Sequence, residues 1–500
     1  MSTLLIRAAR ILNPQRDDQR ICDILIEGDT IVAVGGEISQ SAADEVFDAD
    51  GLVAMPGLVN AHTHAHNNLT KGRGDNWTLE DLRNNGGGLY AGRSPDDQYL
   101  AAAIGAIEMV KTGCTAAYEQ FVAVPAQTHD GVDAVVQAYT DVGMRALIAP
   151  AIADIVFYHS VPGLLELLPD DLGRLVSRMT AHPVDDLLEI SAAAIRKWHG
   201  SASGRITVAT APVITGECSD QLWRGCRELM LKYGAPMHTH LAETKVQAIG
   251  GFQRYGRSLV RRMEELEVLC PQLTCGHSIW VDDDDMSRLA GTGTKVAHNP
   301  ASNLKLGSGI APIRELLDRG VSIGLGTDGS MSSDNQNMFE AMRFAALVSK
   351  VRFAHDPERW VSASEVFDMA TLGSADLMGL KGQIGCIEPG KKADIVLLRQ
   401  QSVFLRPLND LTNAIVYCET GSDIERVYIA GRLVVSGNRI LTIDEDAIYA
   451  RAQRAVDRLM NENDKAIELS RRIQPYLRNA CRVCAQMDFH INRYACDPLK

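Results

Sequence analysis

Between residues 57 and 384 the chain repeats one pattern eight times: a short apolar run ending in polar residues, then an amphipathic helical stretch. The runs fall at 59–64, 115–121, 145–154, 206–212, 235–243, 274–277, 295–299 and 322–328. Parallel strands need a crossover between each pair, normally a helix. Eight such units therefore predict an α/β fold of the (β/α)8 barrel (TIM barrel) type. A doubly wound sheet would place a Gly-rich phosphate loop after its first strand; here the first run ends in His62-Thr63-His64 instead.

The flanks have a different texture. Strand-like runs at 4–8, 23–27, 30–34 and 51–55 precede the repeat, and runs at 392–398 and 424–435 follow it. They predict a small β-sandwich domain built from both chain ends, 1–56 and 385–443, around a barrel at 57–384. Residues 444–500 read as a C-terminal helical extension, with one long helix from Asp444 to about Leu477. The run Asn84-Asn85-Gly86-Gly87-Gly88 reads as loop by composition.

Composition narrows the class of partner. Fifty Lys and Arg against 63 Asp and Glu leave a formal charge of −13, which argues against nucleic acid. No apolar run reaches 18 residues, so no membrane span is expected. The N-terminal residues show no basic, apolar leader. Eleven cysteines, spread thinly from Cys22 to Cys496, make a poor disulfide framework and suit reduced thiols in a cytoplasmic protein. Cys481, Cys484, His490 and Cys496 suggest a zinc knuckle, but the spacing departs from one at two places, and packed thiols are the preferred reading.

The chemistry gathers at the ends of the runs. In a strand, residues two apart share a face, so His62 and His64 point together. So do His238 and His240 in Met237-His238-Thr239-His240-Leu241-Ala242-Glu243. Pairs of imidazoles so spaced can chelate a divalent ion. Glu243 follows where the strand turns into loop, a place for a proton shuttle beside the ion. His277 ends a short run, a polar glycine-bearing loop runs from His298 to Gly309, and Thr327-Asp328-Gly329 ends the last run. In a barrel all these ends meet at one face.

With Pro56-Gly57-Leu58-Val59-Asn60-Ala61-His62-Thr63-His64, these segments resemble the amidohydrolase superfamily, in its cytosine/guanine/triazine aminohydrolase branch, over about residues 1–440. The resemblance implies His62, His64, His240 and Asp328 as metal ligands, with Asp328 also a base. It implies Glu243 as proton carrier and His277 as orienting group. No Lys stands in the fourth run, where binuclear relatives carry a bridging one, so one divalent ion per chain is implied: Zn²⁺, with Fe²⁺ as alternative. The implied reaction is attack of metal-bound hydroxide on a carbon flanked by nitrogens, cleaving a C–N bond of a small nitrogen-rich compound such as an amino-substituted heterocycle. Acyclic amidine, guanidine or biguanide hydrolysis, and amine or halide removal from a triazine, are the alternatives within the fold. A non-catalytic metal-binding barrel is the remaining one.

Substrate contacts are expected from Glu119 and Gln120 at the second run, Asp154 at the third, Trp77 in the 67–93 segment that resembles a substrate-covering loop, and Asn303. His66 and His298 divide evenly between substrate contact and loop structure. His238 points inward one layer deeper and is read as core or support. Many branch members read Pro-His where this chain has Pro212-Val213, which weighs against nucleoside-type substrates. A homo-oligomer, dimer or higher, is implied by the resemblance.

Overall fold

The computed structural model describes residues 2–15 and 19–494. The barrel strands are Leu58–His64, Cys114–Phe121, Arg145–Ile152, Ile206–Val208 continued by Ala211–Pro212, Met237–Leu241, Leu273–His277, Lys295–His298, and Ile323–Leu325 continued by Asp328–Gly329. Every pairing among them is parallel, and Asp328–Gly329 pairs back onto Thr63 and His64 to close the ring. Single bridges, Thr210 to Met237 and Ile214 to His240, join the fourth strand to the fifth. All eight runs read from the sequence are barrel strands. The fourth and eighth are interrupted, at residues 209–210 and 326–327.

The two chain ends share one nine-stranded sheet. Leu52–Pro56 is its seam, lying between Thr3–Ile11 and Ile395–Arg399. The sheet curls until Thr30 bridges Lys392, enclosing Ile6, Ile24, Ile26, Ala54, Ile395 and Leu397. Alternate residues Val53, Met55, Val396 and Leu398 face the barrel core instead. This period of two is what a sheet with both faces covered requires. The strands Glu45–Asp48 and Arg439–Ile440 were not legible in the sequence.

Two helical expectations need correction. The extension is not one helix but two, Glu445–Glu462 and Asp464–Gln486. The break falls at Asn463, whose side-chain amide donates to the carbonyl of Ala91 (2.7 Å). The run 84–88 is not loop: it lies inside helix Leu79–Leu89, started by a capping box at Thr78 and Asp81. One of its glycines, Gly88, serves close packing. A Cβ at Gly88 would come within 2.9 Å of the Ile467 backbone. Among the described residues no helix is long and apolar enough to cross a membrane.

Candidate active site

The strand ends bring four histidines and two carboxylates together at one mouth of the barrel. His64 donates from Nδ1 to the Gln120 carbonyl (2.5 Å), and His240 donates from Nδ1 to the Val213 carbonyl (2.7 Å). Both therefore carry a lone pair on Nε2, and these two atoms lie 3.1 Å apart. Facing lone pairs repel unless a cation lies between them. Asp328 Oδ1 stands 3.0 Å from His64 Nε2 and 3.4 Å from His62 Nε2. Two imidazole lone pairs, a third imidazole and a carboxylate oxygen converging on one point form the donor set of a zinc-type site. His62, His64, Asp328 and His62, His240, His277 each lie close enough to share an ion.

Asp328 is fixed from several sides. Its Oδ2 accepts from Ser302 Oγ (2.5 Å) and Ser332 Oγ (2.8 Å). Asn60 clasps the preceding Thr327 through both its amide atoms (2.8 and 3.1 Å). Asp328 and His277 both hold positive φ, +62° and +66°, a conformation disfavoured for such residues and frequent where function dictates geometry. Burial opposes the charge on Asp328, but His64, His62 and His277 outweigh it and hold the carboxyl well below its ordinary range.

Glu243 behaves in the opposite way. It is buried, and neither carboxylate oxygen has a hydrogen-bond partner. Burial first, then the nearby Asp328 and Glu80, raises its carboxyl well above the ordinary value. His277 donates from Nδ1 to Asn303 Oδ1 (2.8 Å), which turns its Nε2 toward Glu243 Oε2, 3.7 Å away. Two carboxylates pushed apart in pKa within one pocket are an acid and a base by environment.

A cavity of about 540 Å³ opens over these groups and is lined by His64, His240, Glu243, His277 and Asp328. The expected substrate contacts do not line it. Glu119 is buried beneath it, accepting from the Ala65 amide (2.6 Å) and Tyr139 Oη (2.7 Å), and burial raises its carboxyl to about 7. Gln120 contributes its carbonyl to His64. Asp154 accepts from the Ser219 amide (2.8 Å) at the start of helix Asp220–Tyr233. Trp77 packs with Leu79, Leu82 and Tyr90. Asn303 reaches the site only through His277. Glu119, Asp154 and Asn303 Oδ1 are turned inward or sideways by the partners they meet there, whereas the Gln120 side-chain amide is buried without one.

His66 does line the cavity, with Nδ1 accepting from the Val122 amide (3.0 Å), whereas His298 is buried away from it. His238 sits behind His62, its Nε2 3.1 Å from His62 Nδ1 and the rings stacked at 4.8 Å. Cys481 and Cys484 are free and buried among Tyr158, Leu164 and Leu477. His490 instead meets Asp282 (2.9 Å), and Cys496 lies outside the described residues.

Several pocket residues were missed in the sequence. Glu217, which pairs with Arg83 of the 67–93 segment (2.5 Å), is one, and Ala466, Leu469 and Ser470 reach the cavity from the C-terminal extension. No local pattern marks such residues, because their convergence is made by the fold. Ser302 was at least inside a segment flagged for its polarity.

The model of the amidohydrolase family matches residues 53–434, and this chain belongs to that family. A 5'-deoxyadenosine deaminase of Methanosarcina mazei is 30% identical over 463 residues, covering 92% of this chain and 99% of that one. A 5-methylthioadenosine/S-adenosylhomocysteine deaminase of Desulforudis audaxviator is 32% identical over 471 residues, covering 91% and 99%. Among solved structures, the atrazine chlorohydrolase of Arthrobacter aurescens TC1 complexed with zinc superposes with a TM-score of 0.81 at 27% identity, covering 91% of this chain and 100% of that one. The protein is thus a metal-dependent amidohydrolase, a hydrolase of carbon–nitrogen bonds, and its family generally uses a divalent metal.

Proposed function

We propose that the protein deaminates an amino-substituted aromatic nitrogen heterocycle, with one zinc ion per chain held by His62, His64, His240 and Asp328. The carrying observation is Glu243: a buried, unpartnered carboxyl, biased toward its protonated form, beside a cluster of metal-ligating side chains. A divalent ion bound there supplies Lewis acidity and an acidified water.

The chain's own residues do the rest. Asp328, kept ionised and fixed by Ser302 and Ser332, takes a proton from the attacking water. Glu243 gives its proton to a ring nitrogen as the new C–O bond forms. The proton held by Asp328 passes to the exocyclic amine, the C–N bond breaks and ammonia leaves. As the C–N bond breaks, the hydroxyl proton of the new C–O group passes to Glu243 and restores its acid form, while the ring nitrogen keeps its proton in the lactam product. His277, its tautomer set by Asn303, turns Nε2 toward the reacting group.

Two relatives are named as deaminases of adenosine derivatives, which supports an amine as leaving group. Val213 lines the cavity with an apolar side chain, an observation that favours a triazine-like ring over a nucleoside. Chloride leaves without a proton and an amine does not, so product mass separates amine from halide removal.

The test is ammonia release by the zinc-loaded protein from aminopurines, aminopyrimidines and aminotriazines. Glu243→Gln is expected to lower kcat by about 10²–10⁴-fold, and Asp328→Asn to abolish turnover. Unchanged ammonia release by Asp328→Asn would falsify the proposal.

A further inference from the structure

The cavity runs well past the reacting groups. Its lining includes Val156, Phe157, Met179 and Leu187 and, from the C-terminal extension, Ala466 and Leu469. The last two belong to helix Asp464–Gln486, beyond the residues that match the family model. At about 540 Å³ the space falls within the range of drug-sized sites, about 300–1,000 Å³, and exceeds what a bare aminated ring fills.

The wall is built, not draped. Ser470 Oγ donates to the Asn84 carbonyl (2.8 Å), and Asn84 Nδ2 donates back to the Ser470 carbonyl (2.9 Å). Tyr158 Oη donates to Asn84 Oδ1 (3.0 Å), and Arg478 Nε lies 3.0 Å from both oxygens of Asp81. Lys245, two residues from Glu243, donates to the carbonyls of Ala485 (2.8 Å) and Met487 (2.6 Å). These bonds fix Leu469 against the cavity.

The wall also has a charge character. Among the described residues, the one arginine that lines the cavity, Arg83, is already neutralised by Glu217. Beyond Glu217, Glu243 and Asp328, no carboxylate among the described residues lines it. A carboxylate placed against Leu469 loses its hydration and, with Arg83 already paired, meets no free arginine or lysine among the described lining residues; the imidazoles that line the cavity, His182 beside Met179 among them, are the groups left to face it.

We infer that the C-terminal extension completes a specificity subsite for an uncharged, largely apolar substituent on the heterocycle, and that Leu469 sets its size. This rests on the deamination reading above.

The experiment compares adenine with 9-butyladenine and 9-(3-carboxypropyl)adenine, and melamine with N-butylmelamine. Ammonia release is followed with the zinc-loaded wild type, Leu469→Trp and Leu469→Ala, and binding is measured by calorimetry on Glu243→Gln. Zinc content and thermal melts of each variant report folding. The wild type should favour the butyl compounds over the bare rings by about tenfold or more in kcat/KM. It should disfavour the carboxylate by a similar factor. Leu469→Trp should erase the butyl preference through KM, lowering kcat/KM for the butylated rings by about tenfold more than for the bare rings, and Leu469→Ala should weaken it.

Equal effects of Leu469→Trp on bare and butylated rings, or a wild-type preference for the bare or carboxylated compounds, overturn the subsite. If Leu469→Trp fails to fold, Leu469→Ala decides: an undiminished butyl preference in that variant also overturns it. A butyl preference in binding that depends on Leu469, with no ammonia from any compound, supports the subsite and overturns the deamination reading. Neither binding nor turnover of any of them overturns both.

Discussion

At the scale of single residues, the arrangement around His62 separates holding an ion from shaping the group that holds it. His62 presents Nε2 to the site, so the proton on its ring belongs at Nδ1, where His238 Nε2 stands 3.1 Å away as acceptor. Tyr118 meets His238 edge-on at 4.4 Å, and both are fully buried. His238 thus sets the tautomer and angle of His62 without reaching the cavity. Partners of this kind typically change metal affinity by about 10–100-fold when removed. His238→Phe should therefore weaken zinc binding by about that factor in competition with a chelator, while His238→Gln, which keeps an acceptor, should recover much of it. Equal affinity in His238→Phe and the wild type would show that the His62 ring needs no such partner. The histidines themselves were legible because strand alternation puts residues two apart on one face. That His238 lies one layer deeper follows from the same alternation. The serines holding Asp328 were not legible, because Ser302 and Ser332 reach it from separate loops that only the closed barrel brings together.

At the scale of elements, helix Leu79–Leu89 shows where composition misleads. Three consecutive glycines are poor helix formers, each costing about 1 kcal/mol against Ala. Here the helix forms because the capping box starts it and because it lies, at Gly88, against helix Asp464–Gln486, a contact made nearly 400 residues away in sequence. Gly88 and Gly87 then make opposite predictions. A side chain at Gly88 meets the backbone of Ala466 and Ile467 at 2.9–3.0 Å, so Gly88→Val should cost about 1–3 kcal/mol in urea unfolding. Gly87 has nothing within 4 Å of a built Cβ, so Gly87→Ala should be neutral or stabilising by up to about 1 kcal/mol. Destabilisation of both alike would mean that the glycines act through the helix alone and not through its neighbour. The eight barrel strands, by contrast, were legible because each is an apolar run whose pattern depends on nothing distant.

At the scale of the whole molecule, the barrel and the end sheet are tied by more than apolar contact. Arg145, opening the third barrel strand, meets Asp394, just before the Ile395–Arg399 strand of the sheet, through two bonds of 2.6 and 3.1 Å. Both side chains are almost wholly buried, and Asp394 Oδ1 also accepts from the Ala430 amide (2.8 Å). Sequence reading could see that both chain ends were strand-like, but not which charges would be sealed between sheet and barrel. A buried pair adds little net stability over a well-packed apolar substitute, yet removing one partner strands the other charge. Arg145→Met should therefore cost about 3–5 kcal/mol in urea unfolding. In the double variant Arg145→Met/Asp394→Asn both charges are gone, and the side-chain amide oxygen can still accept from Ala430, so the loss should shrink to about 1–2 kcal/mol. Because the pair bridges two parts of the fold, the penalty should appear in one shared transition, with fluorescence and circular dichroism moving together. A wild-type midpoint for Arg145→Met, or a penalty confined to one of the two signals, would mean that sheet and barrel unfold without reference to this pair.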